Sequence, residues 1–426
     1  MMERTCADLP RQELTAIQEA VGTQALAGAP AHVTEAPSGD HRVKTLCIEG
    51  WRGVNHSIAM VNQNQILEML KRPGWRIFHR DAPYFRPHWN RAQFASGFTP
   101  EEQARIDALA DPGGATMDAC LRIASPVRLG QPGQARKTCT YMVTELGPTA
   151  AGFDPPTLRP AQITQGDDLV VTPSRWARDR LLDWGLSADK VHVVPHGYKT
   201  DVFAPMSQEE RAEARRMVGV APHEIVFSNV GVAIWNKGVD LLLLAFAQLR
   251  SRGLPVRLFL KDHKALYGVG VGDLYAQLAR SVTLLDDDAV RGAICVLSGS
   301  LSLPQLRSLY ALSDAYVSPY RAEGFNLPVL EAMGCGTHVI VSAGGATDDF
   351  VPEPLAYRLH TRRGTAQDQP AVHGEFLAPD LDDLIQAMEQ VARGMRPDPD
   401  RRQAALQDLA QNYSWAAVTR RLMALL

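Results

Sequence analysis

Residues 319–336 read Pro319-Tyr320-Arg321-Ala322-Glu323-Gly324-Phe325-Asn326-Leu327-Pro328-Val329-Leu330-Glu331-Ala332-Met333-Gly334-Cys335-Gly336, two glutamates with seven residues between them. The run 315–319 before them is apolar enough for a buried strand, and Glu323 and Gly324 follow in a turn. Leu327-Pro328 then opens a helix, because proline in the first turn gives up no hydrogen bond. Glu331 falls about one turn into that helix. The first N–H groups, of Phe325, Asn326 and Leu327, lie at the positive end of the helix dipole, a seat for a diphosphate or for sugar oxygens. A carboxylate on each side can accept hydrogen bonds from vicinal diols. Solvated surface carboxylates make the same spacing, but the Gly-Phe-Asn-Leu-Pro filling favours the ligand reading.

The pattern around this segment alternates short apolar runs with helical periodicity. In the first half, strands are expected near 43–48, 75–79, 119–124, 138–143, 168–172 and 191–194, with helices near 57–71, 100–110 and 174–184. In the second half, strands near 224–230, 255–261, 293–297, 314–318 and 337–341 alternate with helices near 238–251, 272–281, 303–312 and 327–334. The reading is an α/β protein of two doubly wound, Rossmann-like parallel-sheet domains, with a ligand in the crevice at the carboxyl ends of the strands. Residues 1–40, rich in Ala, Gly and Pro, read as a tail with a short amphipathic stretch around Leu14, Ile17 and Val21. The first domain then spans 41–204 and the second 205–412, joined near Phe203-Ala204-Pro205, and a terminal helix covers 413–426.

The chain has 426 residues, enough for two domains that each bury a core. A net charge of −3 predicts no general attraction to nucleic acid or to an anionic membrane, leaving at most peripheral membrane contact. The six cysteines are scattered without CxxC pairs or histidines at zinc spacing, so buried thiols in a reducing compartment are expected rather than disulfides or a metal site. The N-terminus has no apolar signal-peptide core and no run approaches a membrane span, which points to a cytoplasmic protein, at the inner face of the membrane if it meets one. Oligomeric state is not legible.

From about residue 168 onward the chain resembles the group 1 (family 4) glycosyltransferases, retaining enzymes of the GT-B fold whose Glu-x7-Glu motif binds the donor. Downstream of the motif, Gly334-Cys335-Gly336-Thr337-His338-Val339-Ile340-Val341 is similar to the family's helix end and next strand, and Gly344-Gly345 to its glycine pair. Upstream, Val230-Gly231 and Asn236-Lys237-Gly238-Val239-Asp240 resemble its phosphate-binding turn, and Val193-Val194-Pro195-His196-Gly197 its interdomain segment. The resemblance implies a nucleoside-diphosphate sugar as donor, UDP- or GDP-linked, with no cofactor and no metal. Glu323 would position the sugar, Glu331 would hold ribose, and Lys237 would bind the diphosphate. Gly324, Phe325, Asn326, Leu327 and Gly231 complete the donor side, and the base is expected in the 298–302 loop beginning at Ser298.

Two departures stand out. The family places an arginine five residues before its lysine, and this chain has Val232 there; Lys261, at the end of a strand, is the candidate replacement. Where the family has a first-domain histidine, this chain has Thr144-Glu145-Leu146, and Glu145 is a candidate for touching the sugar or orienting the acceptor. In the first domain, Gly50-Trp51-Arg52-Gly53-Val54-Asn55-His56-Ser57 links strand to helix, with two glycines that permit close approach of backbone to ligand. Trp51 and His56 are candidates for acceptor contact, and Asn55 or Ser57 for the helix cap. The stretch 75–91 interleaves Arg76, His79, Arg80, Arg86 and Arg91 with aromatics; a strand and ordered loop is the plainer reading, an acceptor wall the functional one.

These residues predict sugar transfer to a glycan, glycolipid or small-molecule acceptor, with polysaccharide or other surface-glycan assembly preferred. The alternatives are a phosphorylase or sugar-nucleotide epimerase on the same scaffold, and a non-catalytic nucleotide-sugar binder.

Overall fold

The computed structural model describes residues 42–426 apart from 88, 90–96, 131–132, 366, 370–372 and 397. The expected tail, and Arg91 of the basic-aromatic stretch, lie outside the described residues. The first sheet is built from Lys44–Gly50 (β1), Trp75–Asp81 (β2), Met117–Ile123 (β3), Ala135–Tyr141 (β4), Leu169–Thr172 (β5) and Val191–Val193 (β6). Its strands are parallel in the order β2-β1-β3-β4-β5-β6. The second sheet comprises Ile225–Val230 (β7), Val256–Lys261 (β8), Ile294–Leu297 (β9), Ala315–Ser318 (β10), His338–Ser342 (β11) and Ala356–Leu359 (β12). It is also parallel, in the order β9-β8-β7-β10-β11-β12, so the strand order reverses beside β7. Open parallel sheets bind ligands at such a reversal, outside the carboxyl ends of the strands.

Each sheet has its own core because its strands are apolar on both faces, as parallel strands covered by helices must be. Leu46, Ile48, Leu121 and Val171 form part of the first core, and Phe227, Phe246, Leu258 and Val317 part of the second. The helices that position the site are Ser57–Met69 (α1), Arg175–Asp183 (α2), Val239–Ser251 (α3), Leu303–Leu312 (α4), Leu327–Gly334 (α5) and Trp415–Met423 (α6). α6 returns to the first domain. Leu422 enters its core, Arg72 Nη2 donates to Ala416 O at 3.1 Å, and Lys137 Nζ donates to Leu425 O at 2.6 Å. The crossing is tight at Gly197, where any Cβ would come within 2.8 Å of the Trp415 backbone.

Strand and helix positions agree with the sequence reading to within a few residues. The strand Ala356–Leu359, the helices Gln208–Met217, Leu381–Ala392 and Pro399–Tyr413, and the antiparallel pair Thr361–Gly364 with Phe376–Pro379 were not anticipated. Gln208–Met217 is almost wholly polar and shows no apolar stripe. It is held instead by a Ser207–Glu210 capping box and by Arg211 and Arg215, both bonded to Asp314 at 3.0 Å. Among the described residues no helix is long and apolar enough to cross a membrane.

Candidate functional site

Between β10 and α5 the chain makes a turn held by one bond within the segment and one from the first domain. Asn326 takes the left-handed conformation at φ 80°, a region that asparagine tolerates better than most residues, and its Nδ2 donates to Ser318 Oγ at 2.9 Å. Ser174 Oγ, capping α2 of the first domain, donates to Gly324 O at 2.7 Å. The N–H groups of Phe325, Asn326 and Leu327 form no backbone hydrogen bond among the described residues. The Phe325 side chain is committed elsewhere: it is 2% exposed, stacks on Phe350 at 4.5 Å and meets His196 edge-on at 4.9 Å. As a side chain, Phe325 is therefore core, a correction to its place among ligand contacts; only its backbone remains available.

Glu323, 9% exposed, faces Lys237 with Nζ–Oε1 at 2.9 Å. Lys237 Nζ also lies 2.7 Å from Oε1 of Glu145, in the turn that follows β4 of the first domain. Asn236 Nδ2 donates to the other Glu145 oxygen. Lys237 reaches this point because Gly238, at φ 68°, starts α3 so close to β10 that a Cβ there would meet Pro319 O at 1.9 Å. Burial alone would lower the pKa of Lys237, but Glu145 and Glu323 outweigh it and hold the ammonium above its ordinary value. Burial raises Glu323 to about 7, helped by Glu145 and opposed by Lys237. One cation thus serves two carboxylates across the gap between the domains.

Beside this trio opens a cleft with about 1060 Å³ of empty space counted out to open solvent at its mouth. The second domain contributes Val230, Gly231 and Val232 after β7, Lys261 and Asp262 at the end of β8, Tyr310 of α4, and Leu327, Pro328 and Glu331 of α5. The first domain contributes Asn55, Ser57, Met60 and Asn64, with Lys199 from the connection. Burial raises Glu331 to about 8, against a hydrogen bond from the Tyr310 hydroxyl to its Oε2 at 3.0 Å. Lys261 is 9% exposed, donates to Asp262 O, and is lowered by burial to about 8. It is not the solvated strand-end lysine that its position also allowed.

The first-domain loop departs from expectation. Trp51 is 1% exposed with Nε1 donating to Pro83 O at 2.8 Å, and Arg52 is 7% exposed, bidentate on Asp81 at 2.8 and 2.7 Å. Both side chains are turned inward, which corrects their assignment as acceptor contacts. Gly50 ends β1 where a Cβ would meet Ile123 O at 2.6 Å, and Gly53 N donates to Gln63 Oε1 at 3.1 Å, so these glycines fit the loop onto β3 and α1. The cap of α1 is neither Asn55 nor Ser57 but His56, whose Nδ1 accepts from Ile58 N at 3.2 Å. Burial lowers His56 to about 4, so it is neutral at pH 7, and its ring packs among Trp51, Trp89 and Tyr267. Capping and aromatic packing replace its expected contact with the acceptor. Ser298 is exposed and stands outside the cleft lining, where Leu301 and Leu303 of the following segment stand instead.

Sequence reasoning missed Tyr310, Lys199, His263 and Tyr267, all on the cleft wall. Tyr310 sits on an amphipathic helix where an aromatic reads as core, and only its distance to Glu331 singles it out. Lys199, 2.5 Å from Glu102 Oε1, follows the interdomain segment already noted, which was the available signal.

Residues 224–393 match the family described as "Glycosyl transferases group 1". The D-inositol 3-phosphate glycosyltransferase of Corynebacterium aurimucosum is 29% identical over 265 residues, 61% of this chain and 56% of the relative. The lipopolysaccharide 1,2-N-acetylglucosaminetransferase of Salmonella typhimurium is 26% identical over 196 residues, 45% of this chain and 48% of that protein. The chain thus spans about half the length of the curated relatives it matches. Among solved structures, Anabaena HepE in complex with UDP-glucose superposes with a TM-score of 0.59 at 14% identity, over 89% of this chain and 98% of that one. The shared architecture is the GT-B fold.

Proposed function

We propose that this chain, whose residues 224–393 match the group 1 glycosyltransferases, moves a sugar from a nucleoside diphosphate to an acceptor hydroxyl with retention of configuration. The observation that carries this reading is the convergence of Glu331 of α5, Lys261 at the end of β8 and Gly231 after β7 on a single cleft beside the Glu323–Lys237 pair. Glu331 accepts from the ribose hydroxyls, the diphosphate lies against Gly231 and the first N–H groups of α5, and Lys237 with Lys261 neutralises it. Glu323 holds hydroxyls of the transferred sugar. In the reaction the bond from the anomeric carbon to the diphosphate oxygen breaks, and a bond to the acceptor oxygen forms on the same face. The acceptor proton leaves on the departing diphosphate.

Charge stabilisation in this scheme comes from lysines and helix dipoles, with no metal ion and no cofactor. Closure of the two domains excludes the water that would otherwise compete as acceptor. For the acceptor we propose a surface glycan or its lipid-linked precursor, met on the cytoplasmic side; relatives acting on lipopolysaccharide support that class. The test is incubation with labelled UDP-, GDP- and ADP-sugars in the presence and absence of acceptor, phosphate and EDTA, with the product anomer read by NMR. Transfer that needs acceptor, survives EDTA and keeps the anomer supports the proposal. Turnover that demands phosphate, or epimerisation without acceptor, replaces it with one of the sister activities. Binding without turnover leaves a nucleotide-sugar sensor, a reading that Val232, standing where the family has its arginine, favours.

A further inference from the structure

A second cleft opens in the first domain, at the carboxyl edge of the first sheet, with about 630 Å³ of empty space and no lining residue in common with the cleft described above. In the sheet register Glu49 of β1 stands opposite both Arg80 of β2 and Arg122 of β3, so one carboxylate lies between two guanidinium groups on one face. It satisfies neither well. The separations are 3.9 Å to Arg80 and 3.5 Å to Arg122, both longer than a charge-assisted hydrogen bond of about 2.7–2.9 Å. Arg122 is 7% exposed, its side chain makes no hydrogen bond among the described residues, and its Nε is shut off from solvent with only the long Glu49 contact. Its guanidinium packs against Gly130, where a Cβ would come within 1.7 Å of Nη2.

A buried guanidinium left short of acceptors is costly, and the cleft walls do not supply what is missing. Asp81, also on the wall, already gives both oxygens to Arg52, and Arg128 pairs with Asp154 at 2.7 Å. Arg80 already has Asp111 at 3.5 Å and donates to Gly113 O at 3.3 Å, so the unmet demand is that of Arg122, and what would complete it is a compact anion carrying several acceptor oxygens.

We propose that this cleft is an anion site for a phosphate or carboxylate group, separate from the nucleotide cleft and bound chiefly by Arg122 and Arg80. The site does not depend on the donor reading, and its ligand is either a free ion or a charged group carried on a sugar. The planar guanidinium fork can bind two oxygens of a carboxylate or a phosphate at once, which favours this chemistry over a neutral ligand.

The experiment titrates the full chain with inorganic phosphate at constant ionic strength, read by calorimetry, with sodium chloride as control, and repeats the titration with a sugar phosphate. Wild type is expected to bind phosphate, and Arg122→Met to weaken it at least about tenfold, the loss of one hydrogen bond to a charged group. Because a buried substitution can unfold the domain, Arg80→Gln, at a more exposed position, is measured alongside and is expected to weaken phosphate several-fold. Tighter binding of the sugar phosphate assigns the site to a charged group on a sugar; equal binding assigns it to the free ion. Absence of binding in wild type, or retention in both variants, overturns the proposal. So does phosphate binding that is lost in Lys261→Met instead, which would place the ion in the nucleotide cleft. Nucleotide-sugar binding followed on the same samples separates the two readings, since either site can fail while the other holds.

Discussion

Lys237 Nζ stands 2.7 Å from Glu145 Oε1, an ion pair that ties the turn after β4 of the first domain to the start of α3 in the second. The same ammonium is 2.9 Å from Glu323. A diphosphate arriving near Lys237 meets two carboxylates already on its cation, so Glu145 opposes binding until the pair loosens. Glu145→Gln should therefore tighten binding of a nucleoside diphosphate about three- to tenfold, the scale of one unit charge removed at partly exposed range. Titration calorimetry on both proteins reads this directly. A tenfold loss of affinity would instead make Glu145 a direct contact of the ligand.

Removing the cation has the opposite sign. Lys237→Ala leaves Glu145 and Glu323 near each other without their shared cation, Glu145 keeping only its bond from Asn236, and takes away charge from the departing diphosphate. Turnover should fall about 10²–10³-fold, the scale of losing one preorganised electrostatic group, and the melting midpoint should drop. A variant with wild-type steady-state rates would remove Lys237 from the chemistry.

The carboxylates give the protein a pH signature. Glu331, raised by burial from 4.5 to about 8, holds its proton in the folded state over a range where the unfolded chain has lost it. Stability should therefore decline as pH rises from about 5 to about 8, with Glu323, at about 7, adding in the same direction. Glu331→Gln lacks the cost of ionising a buried carboxyl, so it should match wild type near pH 5 and exceed it at pH 8.5. Urea unfolding at the two pH values checks the sign, and a gap that shrinks with rising pH would contradict it.

The strands of both sheets were readable because parallel strands buried on both faces are continuous apolar runs, and α5 was readable from Pro328. β12 was not, since Ala356-Tyr357-Arg358-Leu359 carries neither an apolar run nor an alternation. At the site, the spacing of Glu323 and Glu331 and the Asn236-Lys237-Gly238 turn were visible as sequence, because each is a local turn before a helix. The partners across the gap were not. Glu145 lies 92 positions from Lys237, and nothing in either segment encodes their meeting. The inward turn of Trp51 and Arg52 was hidden for the same reason: Asp81, which ends β2, and Pro83, in the loop after it, hold them.

Phe325 offers a check on the distinction between ligand contact and packing within the motif. Its ring is clamped by Phe350 and His196, so Phe325→Ala should destabilise the protein by about 3–5 kcal/mol, as for a large aromatic lost from a core. Phe325→Leu should recover most of that stability and also donor affinity. Full stability with lost affinity in the leucine variant would return the ring to the ligand.

The most direct test of the account is calorimetric titration of UDP-, GDP- and ADP-sugars into wild type, Glu331→Ala and Lys261→Met. Glu331 and Lys261 lie 70 positions apart in sequence (331 minus 261) and meet only through the cleft they line. Wild type is expected to bind at least one of these donors, with each variant weakening it at least about tenfold: Lys261→Met loses a charge-assisted hydrogen bond, and Glu331→Ala loses the buried acceptor for the ribose hydroxyls. No binding by wild type, or equal binding by all three proteins, would contradict it.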